Sequence, residues 1–77
     1  MKNKINLKKE INFILSKFFK QKNKFFSMDN TKDWDSLNHF RLMILLQKKF
    51  SINISNRDIA KLIDEKKIFV AILKKVK

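Results

Sequence analysis

The chain has 77 residues, of which 44% are hydrophobic and 34% charged, and its formal net charge is +12. This length allows one small domain, predicted to span residues 1–77, and the apolar content is too high for a chain that stays unfolded. Without cysteine there is no disulfide framework or thiolate site, and no segment has the length and apolarity of a signal peptide or membrane span, so we expect a cytoplasmic monomer.

The first predicted element is a helix from about Ile5 to Phe19. Its apolar residues recur at spacings of three and four, which places them on one face: Leu7, Ile11, Ile14, Leu15 and Phe18. The periodicity fails between residues 20 and 34, where Asn, Asp and Ser are typical of turns. Within this long loop, we expect three side chains to reach the core: Phe25, Phe26 and Met28. Trp34 is predicted to be a core residue at the end of the loop.

The second predicted helix begins at Ser36 and ends near Phe50. Its wide apolar face predicts the most buried helix of the domain. The residues of that face are Leu37, Phe40, Met43, Ile44, Leu46 and Phe50, broadened by Leu42 and Leu45. Ser36 is predicted to be the N-cap, with its hydroxyl accepting a hydrogen bond from a backbone N–H near His39. His39 has no nucleophile at motif spacing and is predicted to lie on the surface.

Two shorter helices are predicted to follow an extended link. Ser55 or Asn56 can cap a third helix that runs from Arg57 to Ile63. A fourth helix is predicted from about Glu65 to Val76. Its buried positions are expected to be Ile68, Phe69, Ile72, Leu73 and Val76. The predicted fold is therefore all-α, a small four-helix bundle with a long loop after helix 1 and a short third helix.

The positive charge is uneven along the chain. Residues 1–24 and 41–77 each carry a net charge of +7, whereas residues 25–40 carry −2. Lys, Asn, Ile and Phe are all encoded by A/T-rich codons, so lysine content alone is a weak indication of function. Charge-driven binding to nucleic acid or an anionic membrane stays open as an alternative function. It is weakened because 17 of the 19 basic residues are lysine rather than arginine. Sequence-specific nucleic-acid recognition is not expected, because the predicted helix over residues 37–50 is too apolar to be a recognition helix.

No group of residues predicts catalysis. A nucleophile, base and orienting group are not found at motif spacing, and a glycine-free chain has no Gly-rich phosphate loop. We therefore assign no catalytic residue and expect the protein not to be an enzyme. Asp33 and Asp35 are too few carboxylates for a dedicated cation site, so no metal is expected. Ser36 stands out instead, because the start of a helix favours an attached phosphate group.

The segment from Asp33 to Ile54 resembles the acyl carrier protein family. The resemblance rests on an Asp-Ser-Leu attachment motif, residues 35–37, and on the spacing of the apolar residues after it: Leu42, Leu46, Phe50 and Ile54. It extends more loosely over the whole chain. It implies that a phosphopantetheinyl transferase moves the 4'-phosphopantetheine arm of coenzyme A onto the Ser36 hydroxyl. Asp35 and Leu37 are then the neighbours that help to bind the cofactor and the transferase.

In this family the thiol of the arm carries an acyl or aminoacyl group as a thioester between partner enzymes. The resemblance therefore implies a carrier that serves a fatty-acid, polyketide, or specialised or saccharide-modifying pathway. It also implies that a bound acyl chain folds back among apolar side chains, for which we predict five residues: Leu42, Leu46, Ile54, Ile59 and Leu62.

The charge of the second predicted helix departs from the family pattern. Carriers of fatty-acid synthesis are generally acidic along this helix, whereas here it carries Arg41, Lys48 and Lys49. We expect these three residues to contact partner enzymes with acidic docking surfaces, and Asp33 to contact them from the acidic loop. A specialised pathway is favoured over housekeeping fatty-acid synthesis.

Overall fold

The computed structural model describes residues 4–76, with the side chains from Asn6 onward. The described residues form four helices, namely α1 (Lys4–Phe19), α2 (Ser36–Phe50), α3 (Asn56–Ile59) and α4 (Glu65–Lys75). Within residues 4–76 the only β-type pairing is an isolated bridge between Ser27 and Asp64. The all-α prediction is thus confirmed. Residues 1–3 and 77 of the predicted domain lie outside the described residues.

The third helix is shorter than predicted. Ser55 caps it, because its Oγ accepts a hydrogen bond of 3.2 Å from the backbone N–H of Asp58. The helix ends at Ile59 rather than Ile63. The next residues turn more tightly, and the carbonyl of Ile63 accepts a hydrogen bond of 2.9 Å from the N–H of Met28 in the first loop. This pairing with the loop replaces the predicted last turn of helix.

A single apolar cluster joins α1, the first loop, α2 and α4. Its buried members are Leu7, Ile11, Ile14, Leu15, Phe19, Phe26, Trp34, Leu42, Met43, Leu46, Ile54, Leu62, Ile68 and Ile72. The predicted face of α1 and the burial of Trp34 are confirmed, with Phe18 only partly buried. Phe25 is exposed, contrary to prediction, because it precedes Phe26, whose side chain takes the position in the core.

The second helix contacts the core through one face only, which corrects the prediction that it is the most buried helix. Its buried residues are His39, Leu42, Met43 and Leu46. Four apolar side chains that were predicted to be buried are 38–59% exposed: Leu37, Phe40, Ile44 and Leu45. At about 100° per residue, positions 37, 40 and 44 lie opposite positions 42 and 46. A chain of this length has too little other structure to cover both faces.

The second helix ends in a left-handed residue that is not glycine. Ser51 has φ 55° and ψ 48°, and its N–H donates to the carbonyl of Lys48. The N–H of Ile52 donates to the carbonyl of Gln47 at 3.0 Å, which completes a Schellman motif. A side chain with a Cβ is disfavoured in this conformation, whereas glycine is not.

We therefore expect Ser51→Gly to stabilise the protein. The substitution removes the left-handed strain at Ser51 but adds freedom to the unfolded chain, so the net gain should be about 0.5–1 kcal/mol in the free energy of unfolding, measured by urea titration. Ser51→Ala is the matched control, because it removes the hydroxyl and keeps the Cβ. A similar gain in both variants would show that the backbone conformation is not the cause.

Candidate functional site

Ser36 is the first residue of α2, and its side chain is exposed. The residue that caps the helix is Asp35, whose Oδ1 accepts a hydrogen bond of 2.9 Å from the N–H of Asn38. The prediction that Ser36 is the N-cap is therefore wrong by one residue. The carboxylate of Asp35 occupies the place from which an oxygen reaches the backbone N–H three residues later. The hydroxyl of Ser36 consequently has no capping role.

The backbone on the N-terminal side of Ser36 is held by hydrogen bonds. The carbonyl of Asp33 accepts a bond of 2.8 Å from the side-chain amide of Asn38, one turn into α2. The carbonyl of Lys32 accepts a bond of 2.9 Å from the side-chain amide of Gln21, just after α1. Asp33 itself has a left-handed φ of 70°. These contacts hold in place the turn that precedes α2.

His39 is buried, so the prediction that it lies on the surface is wrong. Its Nδ1 accepts a hydrogen bond of 3.0 Å from the indole Nε1–H of Trp34. Because an indole N–H can only donate, the imidazole proton resides on Nε2, which donates to the carbonyl of Ile59 at 2.6 Å. This Trp34–His39–Ile59 network links the first loop, α2 and α3 within one turn of Ser36.

Stacked rings extend this network into the core. The ring of Trp34 stacks with His39, at 6.0 Å between centroids, and with Phe19, at 5.1 Å. No buried polar side-chain atom among the described residues lacks a hydrogen-bond partner. A fully satisfied buried network is rigid, because every displacement costs hydrogen bonds that water cannot replace. The first turn of α2 is therefore held against the core by this network.

The exposed side of α2 begins beside Ser36. Leu37, Phe40 and Ile44 lie on this side with Arg41 and Lys48, and we refer to these five residues as the outer face of α2. It is an apolar stripe with basic side chains along it. The two remaining residues predicted to contact partners are also exposed: Asp33 and Lys49.

The residues predicted to surround an acyl chain all lie in or against the core. Leu42 and Leu46 are fully buried, Ile54 and Leu62 nearly so, and Ile59 packs against them partly exposed. Two cavities, of about 1390 and 400 Å³, lie elsewhere, the first beside α1, the loop and α4 and the second between α1 and α2. None of the five residues lines either cavity.

No protein-family model matches the chain, and no curated protein is significantly similar to it. Among residues 4–76, no three side chains of His, Asp or Glu come together as a metal site would require. None of the helices in this range is long and apolar enough to cross a bilayer. The chemistry of the site has to be inferred from its own residues.

Proposed function

We propose that the chain is a carrier protein, built as a four-helix bundle, that bears a 4'-phosphopantetheine arm on Ser36. The observation that carries this proposal is the position of Ser36, which is exposed at the first residue of α2 while Asp35 provides the cap. A phosphodiester at this position lies at the positive end of the helix dipole. Its negative charge is favoured there, and the hydroxyl can be esterified without loss of the cap.

The anchoring of α2 supports the same proposal. A transferase has to bring one serine hydroxyl into line with coenzyme A, and a fixed hydroxyl reduces the entropy cost of that step. The Trp34–His39–Ile59 network and the cap at Asp35 hold the backbone on both sides of Ser36. The serine is accessible, whereas the structure beneath it is rigid.

In the proposed modification, the Ser36 oxygen attacks the phosphorus that carries the pantetheine arm of coenzyme A. The bond from the serine oxygen to phosphorus forms, and the pyrophosphate bond to adenosine 3',5'-bisphosphate breaks. A base of the transferase takes the serine proton. The thiol at the end of the arm then attacks the carbonyl of an activated acyl or aminoacyl donor on a loading enzyme, such as an acyl adenylate; the thioester bond forms, the acyl–phosphate bond breaks and AMP leaves. The carrier raises the effective concentration of the carried group at its partner enzymes.

The outer face of α2 supplies a surface next to Ser36 on which partner enzymes would dock. Leu37, Phe40 and Ile44 give it an apolar centre, and Arg41 and Lys48 give it positive charge. Such a surface complements an apolar patch bordered by carboxylates. We therefore propose dedicated partners with acidic docking surfaces, which fits a specialised pathway. A carried acyl chain would enter the protein only by separating the packed core residues near Leu42 and Leu46.

Intact-mass measurement tests the proposal. Incubation with coenzyme A and a broad-specificity phosphopantetheinyl transferase is expected to add the mass of one arm to the protein, and Ser36→Ala is expected to remove the addition completely. Ser51→Ala is the matched control, since Ser51 is an exposed serine at the other end of α2. A wild-type protein that stays unmodified with several transferases, including that of its own host, would rule out the carrier function.

Charge-driven binding to nucleic acid or an anionic membrane is the second candidate function, favoured by the net charge of +12. It predicts binding that falls steeply with salt and that Ser36→Ala leaves unchanged. The two candidates are thus separated by one variant. If the protein binds neither nucleic acid nor anionic vesicles at physiological salt, the second candidate function is ruled out.

A further inference from the structure

A basic groove lies on the side of the protein formed by α1, α4 and the start of the first loop. It has a volume of about 1390 Å³, and none of its lining residues belongs to α2. Phe13, Phe25 and Val70 line it and are 60%, 44% and 40% exposed. These are large apolar side chains that the fold itself leaves uncovered.

Lysines surround these apolar side chains. Seven line the groove, from all three of its segments, among them Lys8, Lys17, Lys24 and Lys66. The one carboxylate in the lining is that of Glu65, which leaves the lining residues with a net charge of +6. The Glu65 oxygens accept hydrogen bonds from neutral donors that belong to the fold. The positive charge of the groove is therefore available to a partner.

Two of the phenylalanine rings already have ammonium groups over their faces. The Nζ of Lys8 is 5.6 Å from the ring centroid of Phe69, and the Nζ of Lys17 is 5.4 Å from that of Phe13. Nucleobases bind single-strand proteins by stacking on open aromatic faces, which these cations obstruct. A membrane surface is flat on this scale and does not follow a groove. Both observations disfavour the two ligands that net charge alone would suggest.

An acidic amphipathic helix matches the groove in shape and in charge. A helix with its side chains is about 10–12 Å wide and presents one apolar stripe, which can lie against exposed apolar side chains in a groove. Carboxylates beside that stripe would meet the ammonium groups of residues such as Lys24 and Lys66. We propose that the basic groove binds an amphipathic helix of a partner protein whose apolar stripe is flanked by Asp and Glu. This proposal does not depend on the modification of Ser36.

Titration with a designed peptide tests the proposal. The probe is a helical peptide of about 16 residues with Leu at the i, i+3, i+4 and i+7 positions and Glu at the flanks. In ¹H–¹⁵N spectra at physiological salt, it is expected to shift the resonances of the groove residues at lower peptide concentrations than those of the outer face of α2. A peptide with the same composition and a scrambled order is expected to bind more weakly by about tenfold, because it lacks the apolar stripe.

Charge-reversal variants test whether the peptide binds in the groove. The Lys24→Glu/Lys66→Glu variant is expected to weaken the peptide about tenfold or more, because both side chains line the groove. The Lys61→Glu/Lys75→Glu variant changes the net charge equally at exposed positions outside the lining and outside the outer face of α2, and it should stay within about twofold of the wild type. Circular dichroism of each variant verifies that it is folded.

Four results would overturn the proposal. The first is an equal loss of peptide affinity in the two double variants, and the second is the absence of shifts in the groove at millimolar peptide. The third is tighter binding of oligothymidylate than of the peptide, and the fourth is tighter binding of phosphatidylglycerol vesicles than of the peptide. The last two would assign the groove to nucleic acid or to lipid. Ser36→Ala should bind the peptide as the wild type does, so failure of the carrier function and failure of this proposal are distinguishable.

Discussion

Replacing His39 by leucine is expected to lower the free energy of unfolding by about 2–4 kcal/mol, because it leaves the Trp34 indole N–H without an acceptor and removes one of the two hydrogen bonds to the Ile59 carbonyl. Burial makes the loss large, since His39 is 7% exposed and Trp34 only 4% exposed, so water cannot replace the ring. Urea unfolding measures the effect directly. Trp34 is the only tryptophan in the chain, and its fluorescence reports on this part of the core.

A double-mutant cycle separates the hydrogen bond from the packing. Trp34→Phe leaves the His39 Nδ1 without a donor, whereas the double variant His39→Leu/Trp34→Phe removes both polar groups together. We expect the double variant to be more stable than the sum of the two single effects predicts, by about 1–2 kcal/mol. Strictly additive losses would mean that the 3.0 Å contact between the two rings contributes packing alone.

The extents of α1 and α2 are encoded locally and could be predicted, whereas the extent of α3 could not. The apolar face of α1 and the start of α2 follow from residues within one or two turns, and the observed bounds agree with the predicted ones closely. Asp35 and Ser36 are both good caps, however, and the sequence cannot decide between two adjacent candidates. In the structure Asp35 is the N-cap, so the Ser36 hydroxyl is not used for capping.

The orientation of α2 could not be predicted in the same way. Apolar residues occur all around this helix, for example Leu37 and Phe40 on one side and Leu42 on the other, so their periodicity does not identify one face. Tertiary packing decides instead. The burial of His39 could still have been found, because it precedes Leu42 and Leu46 by three and seven residues, which is the spacing of a shared helix face.

The path of the first loop depends on contacts that are distant in the sequence. Phe25 and Phe26 are chemically identical candidates for the core, and only Phe26 is buried. The choice follows from pairing with the start of α4, where the N–H of Glu65 donates to the carbonyl of Phe26 at 2.8 Å. This contact spans 39 residues and carries no local sequence signal. The basic groove beside the loop was not predicted for the same reason.

Glu65 is expected to contribute strongly to stability although it is a charged residue at the start of a helix. Its Oε1 accepts hydrogen bonds from the side-chain amide of Asn12, at 3.0 Å, and from the backbone N–H of Phe26, at 3.1 Å. One carboxylate thus joins α1, the first loop and α4. Glu65→Ala should cost about 2–3 kcal/mol in the free energy of unfolding, because it removes bonds to a charged acceptor and leaves the Phe26 N–H without its acceptor, while the Asn12 amide keeps the carbonyl of Asn23.

Asp29→Ala provides the matched control for Glu65→Ala in urea unfolding at neutral pH. Both substitutions raise the net charge of an already basic chain by one, but Asp29 is an exposed loop residue. Any loss in Asp29→Ala measures repulsion alone and should stay within about 0.5 kcal/mol. Glu65→Gln keeps an oxygen for the Phe26 N–H and should lose about half as much as Glu65→Ala, since the bond strength depends partly on charge. Equal stabilities of Glu65→Ala and Asp29→Ala would show that the three-way junction at Glu65 does not hold the loop in place.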